Sequence, residues 1–381
     1  MKRFFILAIA VAVLAGCIYP FDLDDSYYEG GLVVEGDILV GDTTRVTLST
    51  VQPLSGKTVD NVVRGTVWVE GEDGKEYCPE SPLESDSFKI DMTKASSDTR
   101  YRLKIHLRSP VPGSNSTDFS SDWLDVQKAP SIDDITYYND NDNLYFQLSL
   151  SSPNGSGCFR WDYEEIWEFH AKVRTNVKYN FGKGTYSYYE SGNPYYWCWG
   201  YGASTQAGIA IAKSTGGEKL VDRPLLSIGR TSNKLQSLYY LKVKARDISE
   251  ECYEYLHAIQ VNSTSTGSLT TPDPSLVIGN IHSETDPLEV VTGYVEVCSV
   301  AVKEIYIGDN YYKPPRFEWE PITLQPDVAV LDEMYLMGLR PYEAVPPEDS
   351  NVYNWGSRRC LECTADGGTK NKPAFWPSDK E

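Results

Sequence analysis

The stretch "RYRLKIHL" sets Tyr101, Leu103, Ile105 and Leu107 against Arg100, Arg102, Lys104 and His106 without a break in the alternation. Side chains of an extended chain point to opposite faces in turn, so a period of two demands one face in a core and one in water. A helix cannot meet that demand, because its faces recur every 3.6 residues. The same period runs through "SFKIDM" with Phe88, Ile90 and Met92, while "GLVVEGDIL", "RVTLST" and "GTVWVEG" add β-branched runs. "EDGK" supplies the Asp-Gly pair favoured in tight hairpins. About seven short strands between Tyr27 and Lys128 predict an immunoglobulin-like or transthyretin-like sandwich over residues 27–128. The Cys, Trp, Cys pattern of an antibody domain is absent from it.

"QKAPSIDD", residues 127–134, interrupts the pattern with a proline and polar residues and marks the expected domain boundary. Alternation resumes in "LYFQLSL", where Leu144, Phe146, Leu148 and Leu150 share a face, and in "RWDYEEIWEFHAKV" with Trp161, Tyr163, Trp167 and Phe169. The second domain, residues 129–381, is therefore also expected to be mainly β. One helix is expected near 248–261, where Ile248, Cys252, Tyr255, Leu256 and Ile259 follow helical spacing and Asp247 with Glu250 fits a capping box. The proline-rich tail after Ile307 is expected to wrap the domain as loops. The fold class is thus mainly β: an N-terminal sandwich, then a β-rich domain with one helix.

The amino terminus has the three parts of a secretory signal over residues 1–16: Lys2 and Arg3, the apolar run from Phe4 to Gly16, and small residues at its end. That run falls short of the roughly 18 residues that cross a bilayer. The order Leu14, Ala15, Gly16, Cys17 resembles the bacterial lipobox, which implies cleavage before Cys17, a diacylglycerol on its sulfur and an acylated amine. One short acyl chain anchors a protein only marginally and each methylene adds about 0.8 kcal/mol, so several chains hold firmly. Residues 17–26 are then expected to form a lipidated tether.

The chain has 381 residues, 41% hydrophobic and 23% charged, enough apolar material for two cores. Its formal charge is -19, and loss of Lys2 and Arg3 with the leader makes it more negative still. Such a surface repels phosphates, and no basic run with interleaved aromatics opposes it, so nucleic acid is not an expected partner. Eight cysteines become an odd number once Cys17 is acylated. An oxidising compartment permits disulfides. Cys360 and Cys363 lie closest in sequence, and a structural disulfide is expected between them or from one of them to Cys198; spacing does not choose. Zinc would need two further ligands, whereas His106, His170, His257 and His282 are scattered singly, so no metal and no cofactor is expected.

No Gly-x-Ser-x-Gly, His-Glu-x-x-His or phosphate-cradling glycine loop occurs. Glu164 and Glu165 are adjacent on a strand and point to opposite faces, so they do not flank one bond. "YYNDNDN" lacks the glycine and closing glutamate of a calcium loop and reads as a turn. A non-enzymatic protein is expected, with a hydrolase of unrecognised site as the remote alternative. The segment from Tyr186 to Gly202 crowds Tyr188, Tyr189, Tyr195, Tyr196, Trp197 and Trp199 around a Gly-Asn-Pro turn. Aromatic faces at low conformational-entropy cost suit ligand contact. The plainer reading is a hairpin whose alternate aromatics fill the core while the rest line an exposed sheet.

Several stretches resemble a family of Bacteroidota lipoproteins known as domain of unknown function 4249. They are "GGLVVEGDI", "RWDYEEIWEF", "CWGYGASTQAGIAIAKSTGGEKLVDRPL", "NSTSTGSLTTPDPSLVIGNIHSETDPLEVVTGYVEV" and "CLECTADGGTKNKPAFWP". The resemblance implies an outer-membrane lipoprotein facing the cell exterior, whose gene often lies near one for a TonB-dependent transporter, and assigns no catalytic residue; an accessory or ligand-capturing partner of such a transporter is the expected function. A structural or adhesive surface protein is the alternative. Cys78, Cys158, Cys252 and Cys298 depart from the family pattern.

Overall fold

The alternating segments form strands, and two sandwiches result. The computed structural model describes residues 31–50, 65–80, 86–108, 117–204, 210–265, 277–287, 289, 291–316, 322–324, 327–347 and 351–377. The leader, the tether and Cys17 lie outside these residues.

In the first sandwich, Tyr101–Leu107 pairs antiparallel with Gly65–Gly71 on one side and Thr117–Ser121 on the other. The facing sheet carries Leu32–Glu35, Thr43–Thr50 and Ser87–Asp91 in that order. Val34, Leu48, Phe88 and Ile90 from one sheet meet Val67, Leu103, Ile105 and Phe119 from the other in one buried cluster. Full burial of each such side chain contributes about 1.5–3 kcal/mol. The Asp73-Gly74 turn joins Gly65–Gly71 to Glu76–Tyr77, with Gly74 at φ 79° where a side chain is disfavoured.

This body is not closed within residues 27–128. Ile281–Ser283 pairs with Thr117–Ser121, Val291–Thr292 runs parallel to Leu32–Glu35, and Val297–Cys298 runs parallel to Ile38–Leu39. Ile281, Val291, Val295 and Val297 enter the same core. The boundary drawn at residue 128 therefore divides the chain where the sequence pattern breaks, while the sandwich itself draws on residues from far beyond it. Two glycines permit this return: a Cβ on Gly279 would sit 1.6 Å from the Gly293 carbonyl oxygen, and one on Gly293 2.4 Å from that of Val34.

The second sandwich faces a sheet of Ser131–Asn139, Asn143–Ser151 and Lys219–Gly229 with a sheet built on Cys158–His170. That long strand pairs with Tyr239–Asp247 along one edge and with Trp197–Ala203 and Ala210–Lys213 along the other; Ala301–Ile307 adds to Tyr239–Asp247. Leu144, Phe146, Leu148 and Leu150 meet Trp161, Leu241 and Val243 in the core. Glu164 is exposed and Glu165 buried, on opposite faces of the strand. The chain is mainly β, as its alternation implies.

A helix, α1, spans Glu250–Ser265. Its start differs from the expected capping box. Ser249 Oγ accepts from the Cys252 N–H at 3.1 Å, so Ser249 is the capping residue. Asp247 is fully buried at the end of its strand and accepts instead from Ser152 Oγ, from Asn154 Nδ2 at 2.7 Å and from Ser156 Oγ at 2.8 Å. The tail also departs from expectation. Ile322–Leu324, Tyr353–Ser357 and Leu339–Ala344 form a small antiparallel sheet, with short helices α2 at Val328–Leu336 and α3 at Arg358–Leu361. Asp327 caps α2 by accepting from the Ala329 and Val330 N–H groups.

Candidate functional site

The aromatic segment from Tyr186 to Gly202 does not form one hairpin. Its first part, Thr185–Tyr188, pairs with Val177–Asn180 in a small hairpin, whereas Trp197–Ala203 joins the sheet of the second sandwich. The turn between them is held by Asn193, which accepts from the Tyr195 N–H and donates from Nδ2 to the Leu361 carbonyl at 3.1 Å. Cys198 is bonded to Cys363, across 165 residues of sequence. Next to that link, the Cys363 N–H donates to the Tyr195 carbonyl at 2.9 Å. Cys360 is a free thiol, as are exposed Cys78 and buried Cys158, Cys252 and Cys298.

Six aromatics carried the sequence expectation, and the fold disperses them. Trp199 is buried with Tyr240 and Trp376. Tyr196 stacks on His170 with ring centroids 4.9 Å apart, and the Trp197 edge meets both. Tyr188 is exposed, its hydroxyl 3.2 Å from that of Tyr353. Of the six, Tyr189 and Tyr195 come together at a pocket of about 220 Å³.

That pocket lies where the small hairpin, the 189–195 loop and the tail meet. Tyr179, Tyr189, Tyr195 and Tyr335 supply aromatic surface, and Arg340, Arg358, Glu362 and Lys178 supply charge. Glu362 is largely buried and accepts from Arg340 Nε at 2.8 Å and from Arg358 Nε at 2.5 Å. Arg340 further donates through Nη1 to the Tyr335 and Leu339 carbonyls, and its guanidinium lies 3.8 Å from the Tyr335 ring centre. Charge-assisted bonds of this kind fix rotamers as well as energy. Tyr179 donates to Asp332 of α2 at 2.6 Å. Burial pushes the Tyr189 hydroxyl above its ordinary value, so it stays protonated and able to donate. Arg358 and Glu362 show the four-residue spacing of a helical ion pair in the sequence, but the tail reads as loops there.

A second concavity, of about 660 Å³, lies between the sandwiches. At its floor, Arg160 donates to Asp37 at 2.9 Å, Arg246 to Asp162 at 2.5 Å, and Lys244 to Asp42 at 3.3 Å. These charges pair with one another and bind the two bodies together. In "YYNDNDN", Asp140 accepts from the Asp142 and Asn143 N–H groups and closes a turn. Among the described residues no group of three acidic, histidine or cysteine side chains is placed to hold a metal, and no helix is long and apolar enough to cross a membrane.

Paired sandwiches of antiparallel strands, with a tail that builds a small pocket on the second, define a mainly β, double-sandwich protein. A family model described as a domain of unknown function (DUF4249) matches residues 18–304. The chain belongs to that family. The match ends before Arg340, Arg358 and Glu362. No curated protein matches the chain. Among solved structures, it is similar to a two-domain fibronectin type III segment of chicken tenascin at 13% identity, covering 56% of this chain and 88% of that one with a TM-score of 0.16. It is also similar to the chicken interferon gamma receptor alpha chain at 10% identity, covering 57% and 89%, with a TM-score of 0.19.

Proposed function

We propose that this protein is a non-enzymatic lipoprotein, held at the outer membrane through lipid on Cys17 and facing the exterior, that captures a small ligand for a TonB-dependent transporter. The observation that carries the capture step is the tail-built pocket, in which four tyrosines surround an Arg340–Glu362–Arg358 cluster pinned in place by the Cys198–Cys363 bond. A rigid concavity with a few convergent polar groups is the usual form of a small-molecule site. Its volume lies below the roughly 300–1,000 Å³ of sites for drug-sized ligands, which suits a single ring. The leader and the lipobox-like order at Leu14 to Cys17 support the anchor, and the family resemblance supports the transporter.

Extraction of the native membrane in gentle detergent tests the reading. Recovery of the protein with a large barrel transporter is expected. Recovery alone, or as fibres, favours the structural or adhesive alternative.

A further inference from the structure

The pocket runs against the charge of the rest of the chain. The protein carries 54 acidic against 35 basic residues, yet the pocket lining holds three cations, Lys178, Arg340 and Arg358, and one carboxylate, Glu362. Glu362 receives one bond from each arginine through Nε, which leaves the cluster with an uncompensated positive charge. The two arginines are not equivalent. Arg340 is committed, since it also holds two carbonyls and lies on Tyr335. Arg358 uses only Nε and its side chain is about half exposed, at 46%. Its Nη1 and Nη2 groups have no partner among the described residues.

We propose that this pocket binds a ring-bearing carboxylate, its acid group on the free Nη1–Nη2 end of Arg358 and its ring against Tyr189 and Tyr195. The planar guanidinium fork matches a carboxylate through two parallel bonds, a fit that an ammonium or a neutral amide lacks. Among the described residues the Tyr189 and Tyr195 hydroxyls have no hydrogen-bond partner, and both stand ready for substituents on the ring. The acidic net charge of the chain disfavours anions over most of its surface, and binding at this cationic patch is expected to weaken with salt. Aromatic acids and acidic sugars share this chemistry. The inference rests on the capture reading and adds to it the class of ligand.

Calorimetric titration of the full mature chain with benzoate and glucuronate, each beside its neutral counterpart benzamide or glucose, separates the possibilities. At least one acid is expected to saturate, its neutral counterpart to bind roughly tenfold or more weakly, and Arg358→Gln to erase that difference, as loss of one charge-assisted bond predicts. Which acid binds tells an aromatic from a sugar ligand. Because Arg358 is partly exposed, its variant is expected to keep the wild-type circular dichroism, and Arg358→Lys is expected to restore only part of the affinity. Equal binding of acid and neutral forms overturns the carboxylate while leaving capture intact. Unchanged acid affinity in Arg358→Gln overturns the placement of the acid. Failure of both acids to bind overturns the ligand class, whereas the capture reading is then judged by transporter co-extraction and by growth of a deletion strain on defined nutrients.

Discussion

Asp37 Oδ2 lies 3.6 Å from Arg246 Nη1 across the seam between the two sandwiches, and each residue keeps one buried atom without a partner, Oδ1 and Nε respectively. Arg160 also donates to Asp37, and Arg246 also to Asp162. Two cations, Arg160 and Arg246, thus depend on one carboxylate that is almost wholly removed from water. Removing one member of a buried charge cluster strands the others, a loss of about 3–5 kcal/mol. Asp37→Ala is expected to lower stability by that order in urea unfolding. An unchanged midpoint would show that the seam does not hold the bodies together.

Ser249 links α1 to the first sandwich as well as capping it. Its N–H and Oγ both donate to Glu296 Oε2, at 2.8 and 2.6 Å. Ser249→Ala is expected to cost about 1–2 kcal/mol, the usual range for a lost cap, with faster amide exchange in the first turn of α1.

Burial raises the Glu296 carboxyl above its ordinary value of 4.5, against the opposing bonds from Ser249. Between the unfolded and the raised folded value, the native state keeps a proton that the unfolded chain has lost. This residue's contribution is therefore fully present below about 4.5 and falls as the pH rises through the folded value. Glu296→Gln is expected to flatten that part of the stability profile relative to wild type. A variant profile parallel to wild type across the acid range would refute the assignment.

The Cys198–Cys363 bond closes a very long loop and fixes the wall of the pocket. Removal of a native disulfide costs about 2–5 kcal/mol in small disulfide-bonded domains. Cys363→Ser is expected to lower the unfolding midpoint accordingly and to loosen amide exchange around Arg358 and Glu362. Peptide mapping without reductant should yield a Cys198–Cys363 pair and an alkylatable Cys360.

Cys17→Ser is expected to abolish incorporation of an alkyne palmitate analogue and to leave the protein unprocessed or soluble. Absence of label in the wild-type chain would refute the proposed anchor.

The strands were legible where period and partner lie close together. Tyr101–Leu107 declares its faces residue by residue, and its neighbours Gly65–Gly71 and Thr117–Ser121 lie within the same stretch of chain. The pieces at 281–298 are two or three residues long and carry no period, so only the distant edge they pair with defines them. The cap of α1 is not legible in the sequence because Asp247 and Ser249 both satisfy a local rule. The choice is made by Ser152, Asn154 and Ser156, some ninety residues earlier, which claim the Asp247 carboxylate. In the pocket, Tyr189 and Tyr195 stood out as aromatics among six, but Arg340, Arg358 and Glu362 sit in a tail that prolines make look irregular. Pro341 lies at a register shift in its sheet, where a missing N–H is tolerated.

Closure of the first sandwich by residues 281–298 separates order of emergence from order of completion. A chain threaded out from its amino end delivers Leu32–Glu35 and Thr117–Ser121 long before the segments that cover their flanks, so those edges stand bare while the second sandwich is still arriving. Bare edges recruit strands from other copies. A fragment cut after residue 128 is consequently expected to associate with other copies through those edges rather than to behave as a smaller version of this protein.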